Sequence, residues 1–216
     1  MRRFAIALLL AAAAPIFMGA GGSVFPSIHE SQLSPADRDE LDAVSAYLNG
    51  ITTLKGGFLQ IEPSGNVSEG TFYISKPGKM RFEYKPPSAT LMVADGHTVA
   101  VANTRLNTVD LYPLWETPLG LILNKTIDIR HNPQFVSLEH QQGSLVINMR
   151  TNQSHTRANI ALVFSEPEYE LRQWTVIDNQ GSSTTVALRD LVPGATLAPS
   201  LFVLPQKNPA PRGRQD

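Results

Sequence analysis

EGTFYISKPGKMRFEYKPPSATLMVADG, running from Glu69 to Gly96, is the stretch whose reading decides the fold. Lys76-Pro77-Gly78-Lys79 and Lys85-Pro86-Pro87 break it into strand-length pieces, and Asp95-Gly96 opens the next tight turn. Between the first two breaks, Met80, Phe82 and Tyr84 alternate with Arg81 and Glu83. Successive side chains of a strand point to opposite faces, so the three large apolar groups share one face. That face requires an apolar cover, which either protein core or a bound apolar ligand would supply. On alternation alone, ordinary core is the simpler answer.

The same pattern continues on both sides of this block. Upstream, Leu54 to Ile61 alternates loosely around Gly56-Gly57 and turns at Pro63-Ser64-Gly65-Asn66 into Val67 to Ser75. A glycine pair inside a strand predicts a bend or a close approach of backbones. Downstream come Thr90 to Ala94, Thr98 to Ala102 and Thr108 to Tyr112. After Asp128, strands are predicted at Phe135 to Gln141, Ser144 to Arg150, Ile160 to Phe164, Leu171 to Asp178 and Thr184 to Leu191. Turn signals about every 8 to 12 residues, with no helices between them, predict antiparallel connections and about eleven strands.

Two segments depart from this pattern. Ser34 as N-cap, Pro35 at the first helical position and Asp37 three residues after the cap announce a helix. Leu41, Val44, Leu48 and Ile51 make its apolar stripe, and Asn49-Gly50 weakens or stops it. Within Pro113 to Lys125 (PLWETPLGLILNK), Thr117 can cap and Pro118 suits a first turn. Leu119, Leu121, Ile122 and Leu123 then make a segment that is apolar nearly all round. A helix of barely two turns does not hold itself together in water, so this one is expected to dock on the apolar face of the sheet.

The 216 residues are 42% hydrophobic, enough for one good-sized core, and a single domain is expected. Met1-Arg2-Arg3, the apolar run Phe4 to Met18 and the small residues Gly19 to Gly22 read as a secretory signal over 1–22. The run is short for a bilayer span, which needs about 20 apolar residues. Residues 23–32 read as a flexible leader, and 206–216, with two prolines and four charges, as a disordered tail. Loss of Arg2 and Arg3 leaves a mature chain about three charges negative, which offers nothing to nucleic acid. Cysteine is absent, so no disulfide framework holds the fold and no cysteine accepts a lipid anchor.

No catalytic constellation stands out. There is no Gly-x-Ser-x-Gly elbow and no cysteine nucleophile, and the glycines match neither a phosphate loop nor a dinucleotide fingerprint. His29, His97, His131, His140 and His155 are scattered, none at the i, i+4 spacing of a zinc helix, and read as surface or turn groups. Nothing selects a pair of carboxylates. The chain is expected not to be an enzyme, with no cofactor and no metal.

Gly70-x-Phe72, Lys76 through Tyr84, Pro87, Val93-Ala94-Asp95-Gly96 and Thr117-Pro118-Leu119 follow an amphipathic helix and Phe58-x-Gln60, and precede a second sheet segment ending near Phe202 and Pro205. This ordered set resembles the periplasmic outer-membrane lipoprotein carriers, the LolA family, over Leu33 to Pro205, making 33–205 the carrier domain. The resemblance implies an unclosed antiparallel β-barrel of about eleven strands with an α-helical lid over an apolar cavity. It implies a periplasmic chaperone that takes the acyl chains of triacylated lipoproteins from an inner-membrane ABC transporter and carries them to an outer-membrane receptor. That receptor shares the fold but needs a lipidated N-terminal cysteine, so this chain is similar to the carrier rather than to the receptor.

By position, the resemblance assigns the acyl-chain cavity to Leu48, Ile51, Leu54, Met80, Phe82, Tyr84 and Met92, and the lid to Leu119, Ile122 and Leu123. The family's lid latch is an Arg before the turn proline; here Lys76 stands there, a point charge without the planar fork. Either Lys76 latches more weakly, or Arg81 latches from the other side of the turn, where it points away from Phe82. A monomer is implied. Two further readings stay open: a carrier of another lipid, and a periplasmic sensor of the same fold that signals through a protein partner. Such sensors append a second domain, for which about 170 mature residues leave no room.

Overall fold

Each predicted strand is present, most within a residue or two of its expected limits. They are β1 (Thr53–Ile61), β2 (Val67–Ser75), β3 (Lys79–Tyr84), β4 (Thr90–Asp95), β5 (Thr98–Asn103) and β6 (Thr108–Pro113) in the first half. The second half holds β7 (Phe135–Gln141), β8 (Ser144–Gln153), β9 (Thr156–Ser165), β10 (Leu171–Asp178) and β11 (Ser183–Pro193). The structure, a computed structural model, describes residues 33–153 and 156–207. The signal at 1–22, the leader at 23–32, His29, His155 and the tail from 208 onward lie outside the described residues.

All eleven strands form one antiparallel sheet in the order β6-β5-β4-β3-β2-β1-β11-β10-β9-β8-β7. Two meanders are joined by the pairing of β1 with β11, and the sheet does not close, because β6 and β7 are its two edges. The joint is bulged between Lys55 and Gly57, where β11 shifts register. A bulge bends a strand and increases its twist, which curves the sheet at the seam.

The curvature has a concave apolar face. Leu54, Ile74, Met80, Ala94 and Val99 are paired residue to residue across β1 to β5 and are all buried. The next row reads Gly56, Phe72, Phe82 and Met92. Two glycines make room for aromatic rings in these rows. A Cβ on Gly56 would lie 2.9 Å from the Phe72 ring, and one on Gly70 would meet the Glu83 carbonyl oxygen and, at 2.6 Å, the Phe58 ring. Burying each of these Phe or Met side chains contributes about 1.5–3 kcal/mol.

Helix α1 (Pro35–Gly50) begins with the predicted capping box: Ser34 Oγ accepts from the Asp37 N–H at 3.1 Å, and Asp37 accepts from the Ser34 N–H at 2.9 Å. Its stripe buries Leu41, Val44 and Leu48, while Ile51 follows as the extended C-cap, only partly buried.

The second helical segment is shorter than its composition predicts. A 3₁₀ turn at Leu114–Glu116 is followed by α2 (Gly120–Leu123), a single turn. Thr117 does not cap it; its hydroxyl donates back to the Leu114 carbonyl at 2.7 Å. One turn cannot form enough internal hydrogen bonds to persist alone, so packing holds it.

On the convex side, Arg81 pairs with Glu83 at 2.6 Å and donates to the Leu201 carbonyl at 3.2 Å. This fixes a 3₁₀ turn, Pro199–Phe202, against β3 and β4, with Phe202 buried. Val93 and Ala100, on the same convex row as Arg81, are fully buried.

Gly70→Ala is expected to lower unfolding free energy by about 2–3 kcal/mol, since overpacking drives a ring and a carbonyl apart. Gly120→Ala, whose Cβ would meet only the Leu114 carbonyl at 4.0 Å, is expected to be neutral or slightly stabilising. Denaturant titration of the two variants checks both.

Candidate functional site

The concave face carries a run of aromatic rings. Phe58 lies 4.8 Å from Phe82 and 4.9 Å from Tyr84, Phe72 stacks on Phe82 at 5.5 Å, and Phe82 meets Trp174 edge-on at 6.1 Å. Phe82 is therefore enclosed by apolar surface at 3% exposure, with Met80 and Met92 buried beside it. Leu48 and Leu54 are also buried in this cluster, and Ile51 and Tyr84 pack against it partly exposed. The Tyr84 hydroxyl donates to Gln60 Oε1 at 2.7 Å. Burial pushes its phenol well above the ordinary tyrosine value, and the nearby charge of Glu62 adds to this.

The lid rests on the other half of the sheet. Leu119, Leu121 and Ile122 meet Ile160 and Leu162 of β9 and Trp174 and Val176 of β10. Between them is an apolar crevice with a cavity volume of about 10 Å³, room for about one water. The lid's side chains fill the face they cover, and Leu119, Ile122 and Leu123 are buried in consequence. Ile160, Leu162, Trp174 and Val176 were not singled out from the sequence. Their alternation was legible as strand, but which strand lies beneath the lid follows from long-range pairing.

Polar contacts fasten both helices of the cover. Lys76 Nζ donates to the Leu48 carbonyl at 2.8 Å, so it holds the C-terminal end of α1 rather than α2. A cation suits that end of a helix, and α1 carries no basic residue of its own in its last turn. Partial burial draws the Lys76 ammonium below the ordinary lysine range. The α2 segment is fastened by the same turn through its backbone: the Gly78 N–H donates to the Leu123 carbonyl at 2.9 Å. Gly78 has φ of +75°, a conformation that glycine adopts without strain.

Asn49, legible in the sequence only as part of a helix stop, makes a two-way bond with Ile127. Its Nδ2 donates to the Ile127 carbonyl and its Oδ1 accepts from the Ile127 N–H, both at 2.8 Å. One turn earlier, Ser45 Oγ donates to the Leu41 carbonyl at 2.7 Å and accepts from the Ile129 N–H at 3.0 Å. The chain leaving the lid is thereby laid along α1.

The other end of α1 meets His140 of β7. Its Nδ1 lies 3.3 Å from Glu166 Oε1, and its Nε2 lies 3.4 Å from Glu40 and 3.7 Å from Asp37. Burial opposes the imidazolium, but the Glu166 hydrogen bond and the Glu40 charge outweigh it and raise the His140 pKa. Asp37, Glu40 and His140 bring metal-ligating atoms within 4.8 Å of one another. When protonated, the imidazole is a counter-charge to these carboxylates.

An open eleven-stranded antiparallel sheet, curved around an apolar face and covered by two helices, defines the class of protein. The chain belongs to the LolA family: the model described as "Outer membrane lipoprotein carrier protein LolA" matches residues 49–205. The outer-membrane lipoprotein carrier protein of Methylococcus capsulatus is 26% identical over 188 residues, 83% of this chain and 89% of that one. That of Xylella fastidiosa is 26% identical over 158 residues, 67% and 73% of the two chains. That of Cupriavidus taiwanensis is 31% identical over 84 residues, and the match spans only 40% of its length. Among solved structures, similarity extends to an uncharacterized conserved protein from Thermus thermophilus, at TM-score 0.47 and 12% identity over 79% of this chain and 94% of that one. It extends also to MucB, at TM-score 0.43 and 12% identity over 80% of this chain and 64% of that one.

Three outcomes are expected from these fastenings. Asn49→Ala should speed amide exchange of Ile127 and Ile129 by about five- to tenfold, and Lys76→Met should speed exchange at the end of α1, with α2 unchanged in both. The His140 contribution is full below its unfolded pKa of about 6.5 and is lost as pH rises through the higher folded value. The thermal midpoint of the wild type should therefore exceed that of His140→Gln at pH 6, and the difference should shrink by pH 8.

Proposed function

We propose that this chain is a periplasmic carrier that takes the acyl chains of lipoproteins released at the inner membrane and delivers them to the outer membrane. The observation that carries this reading is a continuous apolar face whose cover fills it with its own side chains and is fastened by a few hydrogen bonds. Membership of a family of carriers supports the same reading, and carriage requires no catalytic group. Among the described residues, no helix is long and apolar enough to cross a membrane.

Magnitudes favour an exchange of lid for ligand. Each methylene taken out of water is worth about 0.8 kcal/mol, so one sixteen-carbon chain gains about 12 kcal/mol on entering. Exposing Leu119, Leu121 and Ile122 costs about 5–9 kcal/mol in the same terms. The difference drives uptake, and the lid's return on emptying lowers the cost of release. In this reading Leu48, Ile51, Leu54, Met80, Phe82, Tyr84 and Met92 wall one side of the space that opens. Ile160, Leu162, Trp174 and Val176 wall the other, and Leu119, Ile122 and Leu123 are the part that moves. Triacylated lipoproteins are the cargo, an inner-membrane ABC transporter the donor and an outer-membrane receptor the acceptor.

Protein purified from a cell exporting lipoproteins is expected to carry acylated cargo by intact-mass analysis, and its absence would overturn the reading. Leu119→Lys is expected to abolish uptake while leaving the far-UV circular dichroism unchanged. Phe82→Glu, by contrast, would place a charge inside the ring cluster and is expected to cost the fold, so it is no test of binding. In a Trp115→Phe background, which silences the exposed indole, the emission of Trp174 should shift on uptake.

A further inference from the structure

Few polar side chains are buried on the concave face, and one of them is incompletely paired. Gln60 of β1 is 1% exposed, and while its Oε1 accepts from Tyr84, its Nε2 has no hydrogen-bond partner among the described residues. Buried amide groups are paired in nearly all native proteins, so a spare buried donor asks for an acceptor. Turning the amide over does not remove the mismatch, because a single hydroxyl still faces a group with two ends.

The position of this donor says what it faces. Gln60 is opposite Val186, Val186 opposite Trp174, and Trp174 opposite Leu162, so the four lie in one cross-strand row on the concave face. Trp174 and Leu162 line the crevice beneath the lid. Neighbouring strands are about 4.8 Å apart, which puts Gln60 about 10 Å from Trp174 along the row. Phe58 and Phe82 pave the way between Tyr84 and Trp174 with ring faces and edges.

An acyl group is an apolar chain ending in one acceptor, its carbonyl oxygen. The geometry points to Gln60 as the polar subsite of the acyl-binding face: Nε2 donates to an acyl carbonyl of the ligand, with Tyr84 holding the amide in the orientation that presents it. The subsite sets how deep a chain enters, because the carbonyl stops where the donor is. This rests on the carrier reading above and adds to it a preference for acyl over alkyl chains. Ester and amide carbonyls share the chemistry.

The test uses the wild-type protein with dipalmitoylglycerol, its dihexadecyl ether analogue, which has no carbonyl, and an N-palmitoyl amide. The ester is expected to bind roughly three- to tenfold more tightly than the ether, the worth of one hydrogen bond in an apolar site. Gln60→Met, of similar volume, is expected to lose that ratio. The carbonyl stretch of a ¹³C-labelled ester should move to lower wavenumber on binding to the wild type and not to the variant. Tighter binding of the ester than the amide, or the reverse, tells which linkage the donor serves. Equal binding of ester and ether by the wild type, with no shift of the stretch, would overturn the subsite whether or not Gln60→Met folds. So would a ratio that survives in Gln60→Met. Binding of none of the three probes would instead overturn the carrier reading, and the subsite with it.

Discussion

A curved sheet that does not close has a concave apolar face which its own strands leave open to water. The seam, the aromatic rings and the two helices answer that constraint. The pairing of β1 with β11 joins two meanders into one surface, the bulge beside Gly57 curves it, and the aromatic rings at Phe58, Phe72, Phe82 and Trp174 make it too apolar to leave wet. Helix α1 and the single turn of α2 are where the chain supplies what the geometry lacks.

How the cover is held matters as much as that it fits. Apolar contact supplies most of the free energy, but it is not directional, and side chains such as Leu119 and Ile122 would accept many apolar partners in place of the sheet. Direction comes from the tethers: Lys76 on Leu48, Gly78 on Leu123, Asn49 on Ile127 and His140 among its carboxylates. Three of these act on α1 and one backbone bond acts on α2. The cover is therefore unequally fastened, firm where α1 meets the turn and the chain after the lid, and light at α2. In the carrier reading proposed above, opening without unfolding is served by that division, since the weakly tied element is also the one with little internal structure to lose.

Much of this was legible in the residues. The alternation of Met80, Phe82 and Tyr84, the Pro-Gly and Asp-Gly turns, and the Ser34–Asp37 capping box act over a few positions, so the local pattern and its outcome coincide. Gly56 was readable as the place of a bend or a close approach of backbones, though not as the site for the Phe72 ring, and nothing in the residues marked Gly70 as the site for the Phe58 ring. Less legible were groups whose role depends on a partner far along the chain. Asn49 read as a helix stop, and it is also a clasp on Ile127, 78 residues away. Lys76 stood in the latch position, and its ammonium settled on α1, because a helix C-terminus presents unpaired carbonyls within its reach.

The amino-acid sequence by itself determined the number and spacing of the strands, their antiparallel connection, the sided distribution of apolar groups and the need for two helical pieces to cover one face. Those follow from side-chain period, turn chemistry and capping, all short-range. Only the tertiary structure decided that Leu119, Leu121 and Ile122 share a crevice with Trp174 and Leu162 and that α1 and α2 are held by different atoms of one turn. It also decided that Gln60 is left with a buried donor. Each depends on the β1–β11 seam bringing the two halves of the chain together, and no local pattern encodes which long-range surfaces will meet once it forms.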